Sequence, residues 1–426
     1  MEMARMRCHL QKHFDQHSTK KISRPDPPMT DATKHTKKSS VLISAAFLMA
    51  TSAIGPGFLT QTASFTNTLL ASFGFVILIS ILLDIGAQLT IWKILCASGM
   101  RAQELANKVL PGAGSALSIM ILLGGLAFNT GNLAGAGLGL EVLTGWSPKI
   151  GASISALIAL LIFWQKDSLR WMDTFTRLLG ILMIALTLYV VFKSSPPVVE
   201  ALHRTFVPTT IDLTAIITLV GGTVGGYISF AGAHRLLDAG LTGKENTQAV
   251  GRSAISAIVL ASVMRILLFL AALGVVAKGI SLAAENPAAA VFKEAAGAIG
   301  YKLFGIVMWC AAITSVVGSA YTSISFLQYE EKDKPALGNK NWLTGFVIFS
   351  LLIFLIWGKP VSILLLAGAV NGFILPVALG IILLAASQKK IMGNYQHNKW
   401  LTRLGVLVLI ATLYLSVATL IKLVGA

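Results

Sequence analysis

Between Val41 and Leu83 the chain carries no charged side chain, yet this apolar run is interrupted by Gly55-Pro56-Gly57 and then by Thr60-Gln61-Thr62-Ala63-Ser64-Phe65-Thr66-Asn67. A bilayer core offers no water to a broken backbone, so an interrupted segment at that depth has to be covered by protein or line a cavity. A second interruption follows in the other half of the chain, at Gly221-Gly222-Thr223-Val224-Gly225-Gly226-Tyr227-Ile228-Ser229-Phe230. Two interrupted apolar segments, one in each half, are the sequence pattern of a secondary transporter's substrate site.

Composition supports the membrane class. Of 426 residues 55% are hydrophobic and 12% charged, against about 25% charged in a soluble domain, and the mean hydropathy is +0.76. Helix-length apolar stretches recur from Val41 onward, which implies a multi-pass, all-α membrane protein and excludes the alternating strands of a β-barrel. Hydropathy predicts eleven spans: Val41–Asn67, Thr68–Cys96, Gly114–Leu140, Lys149–Phe163, Phe175–Phe192, Leu213–Ala233, Ala254–Ala277, Leu303–Leu327, Trp342–Trp357, Val361–Ser387 and Leu401–Val424.

The net charge of +16 is spread over many short loops, which argues against a nucleic-acid partner and for the positive-inside rule. With the N-terminus inside, 25 of the 34 Lys and Arg residues fall on the inner side and 8 on the outer, with Arg265 inside a span. The expectation is an integral plasma-membrane protein with a cytoplasmic N-terminus and an external C-terminus. Residues 1–40 read as a disordered basic tail, with Met29 as an alternative start. The loose spacing of His9, His13, His17 and His35 does not suggest a metal site. Cys8, Cys96 and Cys310 imply no disulfide framework.

Breaks in the first and sixth of eleven spans fit two inverted five-helix repeats plus one helix, at about 41–192, 213–387 and 401–424. Gly57, Ser64 and Phe65 overlay Gly222, Ser229 and Phe230 at a constant offset of 165 residues.

Several motifs resemble the NRAMP (natural resistance-associated macrophage protein) family of proton-coupled divalent-metal transporters. They are Gly55-Pro56-Gly57-Phe58-Leu59, the Ile85-Gly86-Ala87-Gln88 stretch of the second span, and Arg101-Ala102-Gln103-Glu104-Leu105-Ala106 before the third. The resemblance runs from about Ser44 to Gly393 and implies the LeuT-type inverted-repeat fold and alternating access. The family's first break reads Asp-Pro-Gly-Asn, with Asp and Asn as metal ligands. Aligned on Ser64-Phe65-Thr66-Asn67, this chain keeps only the amide of Asn67. The family's Met-Pro-His at the sixth break is here Gly225-Gly226-Tyr227, and its acidic pair in the third span is Asn129-Thr130-Gly131-Asn132.

A dication stripped of water needs compensating charge or several strong ligands. Thr60, Gln61, Thr62, Ser64, Thr66, Asn67, Thr223, Gly225, Gly226, Tyr227 and Ser229 offer neutral hydrogen-bonding groups instead. Half-helix N-termini beside them favour an anionic group. The expected substrate is a small polar organic solute or carboxylate, with a metal ion as the alternative cargo and a non-transporting sensor as a second alternative. The expected coupling ion is H⁺ or Na⁺. Two charges lie within spans, Asp84 in the second and Arg265 in the seventh, and each alone costs about 2.5–3.5 kcal/mol to insert. They are expected to face the interior, as a pair or through a coupling ion. Asn129, Asn132 and His234 are further coupling or gating candidates, Pro376 is expected either to break the tenth span as a gate or only to kink its helix, and no enzyme constellation or cofactor motif appears.

Overall fold

Four helices open on a proline at the first or second position, where the missing N–H is spared: Pro56, Pro148, Pro287 and Pro360. The computed structural model describes residues 31–165, 168–327 and 340–424, with side chains at 31–38, 48, 168–177 and 423–424 left aside. The helices are α1 (Asp31–Ala53), α2 (Pro56–Leu69), α3 (Phe73–Ser98), α4 (Ala102–Val109), α5 (Ala113–Thr144), α6 (Pro148–Trp164), α7 (Ser168–Ser194), α8 (Val198–Phe206), α9 (Leu213–Val224), α10 (Tyr227–Asp238), α11 (Thr247–Val276), α12 (Pro287–Ser325), α13 (Lys340–Trp357), α14 (Pro360–Ser387) and α15 (Lys399–Val424). Two compact units divide the chain at Val41. The readings made of residues 1–30, including the alternative start at Met29, lie outside the described residues. Within the described residues the chain is helical from Asp31.

Each of the eleven expected spans coincides with a helix or a broken helix pair. By length and hydropathy alone, eight described helices can cross a membrane. A ninth does so if Leu178–Ser194 and Val198–Phe206, bent by 105°, form one span. In that tally Pro56–Ser98 runs on as one helix, and Ser39–Ala53 and Pro148–Trp164 are shorter apolar helices. The eighth span starts earlier than expected, because α12 begins at Pro287 and kinks at Gly297. Pro376 does not break the tenth: α14 runs through it from Pro360 to Ser387.

The broken sixth span is the most enclosed, with 89% of its apolar window buried, against 22% for α13 and 33% for α15. Ile356 of α13 and Ile410 and Tyr414 of α15 are exposed, as lipid-facing side chains are. The core beside the broken spans is a close-packed cluster of small and branched side chains. It includes Leu133, Ala152, Phe163, Val316, Leu343, Phe354 and Ile363, and it locks α5, α6, α12, α13 and α14 together.

His397, in the turn before α15, shares a hydrogen bond with the Tyr395 hydroxyl (2.9 Å). Burial, helped by the Lys93 charge, holds its ring down to about 4, from an ordinary value of about 6.5. The native value is lowered, so this contribution to stability is complete above about pH 6.5 and is lost as pH falls from there through about 4. His397→Gln should therefore flatten the acid side of a melting-temperature profile between those two values. An unchanged profile would show that the ring does not titrate with unfolding.

Candidate functional site

The first break falls at Ile54-Gly55. Gly55 is extended (φ −105°, ψ −174°), Pro56 opens α2, and no side chain caps that helix. Proline removes a helical donor and crowds the preceding turn, so the chain breaks just before it. The hydroxyls of Thr62 and Thr66 do not break α2. They donate to the carbonyls of Phe58 (2.8 Å) and Thr62 (2.6 Å), one turn back. Thr60, Gln61, Thr62, Ser64, Thr66 and Asn67 thus all ride on one continuous helix, which corrects the expectation that the chain is broken there. Gly55-Pro56-Gly57-Phe58 at the break contains a Pro-Gly pair and no carboxylate or amide side chain. Asn67 is remote from the break, where its Oδ1 accepts from the Leu282 N–H (3.4 Å).

The second break is where the sequence places it. The helix α9 ends at Val224, Gly225 is extended, Gly226 has φ +53° and ψ −131°, and α10 starts at Tyr227 with no side-chain cap. The Ser229 hydroxyl takes up the Val224 carbonyl freed by the break and lies 3.1 Å from Gln88 Oε1. The Trp92 indole N–H donates to the Ser229 carbonyl (2.8 Å), which ties α10 to α3. Tyr227 is buried, edge-on to Phe128.

Polar groups surround the breaks, many without partners. A Cβ on Gly55 would lie 3.4 Å from Ser315 Oγ and 3.6 Å from Asn132 Oδ1, so the first break faces those two residues. Asn132 Nδ2, Thr60 Oγ1, Thr130 Oγ1 and Gln61 Oε1 are buried with no hydrogen-bond partner. The other end of Gln61 donates to the Leu364 carbonyl (3.3 Å), and its side chain fits between Gly222 and Gly368. Asn129 points elsewhere. Its Oδ1 accepts from Ser319 (3.1 Å) and its Nδ2 donates to Ser350 (3.0 Å), so its amide joins α5, α12 and α13. His234 lies a helix-length from the break, where its Nε2 accepts the Ala102 N–H (3.4 Å) next to the Arg101–Asp238 ion pair (2.8 Å).

Both intramembrane charges come to this region. Arg265 on α11 and Asp84 on α3 are each 3% exposed. The guanidinium stacks on the Phe58 ring, 4.1 Å from its centroid, and Nη2 donates to the Thr223 hydroxyl (3.1 Å). Phe58 is in the first turn after one break and Thr223 in the last turn before the other, so the cation sits between the two. The Asp84 carboxyl lies against the same Thr223 hydroxyl and within the field of Arg265. Arg265 Nη1 and Asp84 Oδ1 have no hydrogen-bond partner. No group of three or more His, Cys, Asp or Glu residues able to hold a metal ion occurs among the described residues.

Sequence reasoning singles out Asp84, Arg265, Thr223 and the second break. It misses Phe58 and Ser315 as neighbours of the first break, and Asn371, whose Oδ1 would lie 1.6 Å from a Cβ on Gly226. A lone amide in an apolar span was the available signal for Asn371. An aromatic and a serine among many give no such signal.

Residues 46–422 match the family described as Natural resistance-associated macrophage protein-like, Nramp. The uncharacterized membrane protein YcsG of Bacillus subtilis (strain 168) is 57% identical over 381 residues, covering 89% of this chain and 94% of that protein. The solved structure of the Eremococcus coleocola manganese transporter, in complex with an aromatic bis-isothiourea substituted compound, superposes with a TM-score of 0.73. It is 15% identical and the match covers 94% of this chain and 90% of that one. MhsT in complex with L-phenylalanine superposes with a TM-score of 0.59 at 18% identity, over 88% of this chain and 97% of that one. These likenesses establish the inverted-repeat transporter fold.

Proposed function

The chain belongs to the Nramp family, and from that premise we propose that it is a secondary transporter whose cargo is a small polar organic solute bearing a carboxylate. Alternating access opens the site at the two breaks to one face of the membrane and then to the other. The N-terminus is cytoplasmic and the C-terminus external, as the distribution of basic residues implies.

One observation carries the reading: a buried guanidinium stands between the breaks, while the first break, Gly55-Pro56-Gly57-Phe58, offers no carboxylate or amide side chain. A guanidinium has only donors, so its unpartnered Nη1 can hold an anionic group and cannot ligate a dication. The uncapped N-termini of α2 and α10 add the positive ends of two helix dipoles. Asn132, Ser315 and Thr60 supply neutral hydrogen bonds of the kind that fix a polar solute. The likeness to a manganese transporter speaks for the fold, and the donor set speaks against that cargo.

The test is uptake into proteoliposomes, with and without a pH gradient, of labelled Mn²⁺ and of a panel of small carboxylates and amino acids. The expected result is saturable uptake of at least one carboxylate and Mn²⁺ uptake no greater than in empty liposomes. Saturable Mn²⁺ uptake would overturn the reading. Uptake of neither class would favour a sensor that kept the fold.

A further inference from the structure

Two acids and one base cannot all stay charged in the middle of a membrane. Among the described residues Arg265 is the cation held between the helix breaks, and Asp84 is the anion that shares Thr223 with it. Both are buried, and each keeps one polar atom without a partner, Nη1 on the guanidinium and Oδ1 on the carboxylate. The carboxylate thus lies within the field of the guanidinium and leaves its buried Nη1 without a partner. We infer that Arg265 is the carboxylate-binding residue of the site and that Asp84 is its displaceable counter-ion, so that each carboxylate carried brings one proton with it. This inference rests on the carboxylate-solute reading above and adds the coupling ion and the residues that enforce it.

The charge balance is simple. In the empty site Arg265⁺ and Asp84⁻ sum to zero. A substrate carboxylate that takes the open guanidinium edge makes the sum −1, and an uncompensated buried charge costs several kcal/mol. A proton taken from the side on which the substrate enters neutralises Asp84, and the loaded site is again neutral. On the other side the substrate leaves, Asp84 gives its proton to water, and the Arg265–Asp84 compensation is restored. No bond other than the Asp84 O–H forms or breaks. The charged group acting on Asp84 from the helices packed against it is Arg265, on α11, while α9 contributes the neutral Thr223 hydroxyl. Asp84 acts through Arg265 and is a positioning residue.

The test uses the full chain in proteoliposomes with labelled acetate, L-lactate, L-alanine and succinate as probes, a pH dye inside, and empty liposomes as the blank. For a monoanionic probe that the wild type carries, acetate or L-lactate, affinity should rise about tenfold for each unit the pH is lowered, since the loaded site binds one more proton, whereas zwitterionic L-alanine supplies its own positive charge and should show no such rise. The lumen should acidify as the probe enters. In Asp84→Asn, whatever carriage of that probe remains should have lost its pH dependence, and the acidification should stop. Asp84→Asn combined with Arg265→Gln removes both charges, so neither is left unpaired in the fold. This double variant should weaken carboxylate binding by about 30-fold or more. Carriage that stays pH-dependent in Asp84→Asn, or survives intact in the double variant, would overturn the inference and leave the carboxylate reading standing. A wild type that carries none of the four probes but carries Mn²⁺ would overturn both.

Discussion

Arg265→Met should destabilise the protein severely, and adding Asp84→Asn should restore most of what is lost. The single change removes the guanidinium, its stack on Phe58 and its hydrogen bond to Thr223. It also leaves Asp84, 3% exposed, as a lone carboxylate within a membrane span. Breaking a buried charge pair from one side costs about 3–5 kcal/mol, whereas replacing both members with neutral groups is often close to neutral. A desolvated cation–π contact adds about 2 kcal/mol that the second substitution does not return. The measurement is a double-mutant cycle on melting temperature in detergent. A coupling energy of about 2 kcal/mol or more is expected between the two positions. A double variant as unstable as Arg265→Met would mean that Asp84 is compensated by something other than Arg265.

Gly226→Ala should be nearly as damaging, for steric and backbone reasons that can be separated. With φ at +53° and ψ at −131°, Gly226 holds a conformation that costs a non-glycine residue about 1–3 kcal/mol. The added methyl would also stand 1.6 Å from Asn371 Oδ1. Asn371 has no free path of retreat, because its Nδ2 donates to the carbonyls of Gly124 and Ala367, both at 2.9 Å. Either the break moves or α14 does. Neighbouring Gly221 already lies so close to α14 that its own Cβ would meet the Gly368 carbonyl at 1.9 Å. The expected result is loss of uptake and a large drop in melting temperature. Gly226→Ala with Asn371→Ala should recover part of the stability, the steric part. Recovery to the level of the wild type would show that the backbone conformation at Gly226 is not strained for alanine. No recovery would show that the methyl group is not what disrupts the break.

The second break was legible because its chemistry is local. Gly226 adopts a positive φ that other residues rarely do, and Ser229, from within the next turn, takes up the Val224 carbonyl that the break frees. The first break was legible only in part. Pro56 marks it, but the hydroxyl-rich stretch from Thr60 to Asn67 looked more like an unwound segment than Pro56 did. In the folded protein Thr62 and Thr66 satisfy their hydroxyls on their own helix, so polarity there signals no break. Asn129 and Asn132 show the same limit. They are three residues apart, yet the first is spent on Ser319 and Ser350 while the second faces Gly55 with an unpartnered Nδ2.

The sequence by itself determined the membrane class, the helices, the family and the position of the Gly225-Gly226 break, because hydropathy and the backbone limits of proline and glycine act within a turn or two. It also singled out Asp84 and Arg265, since a charge within an apolar span is conspicuous. Only the tertiary structure decided that Phe58 and Thr223 hold that guanidinium between the two breaks, that Asp84 shares Thr223 with it, and that Asn371 fills the space beside Gly226. Those contacts join residues up to 303 positions apart, as in Gln61 to Leu364. They depend on how each helix is rotated and crossed against its neighbours, which is set by packing across the whole bundle and written in no single segment.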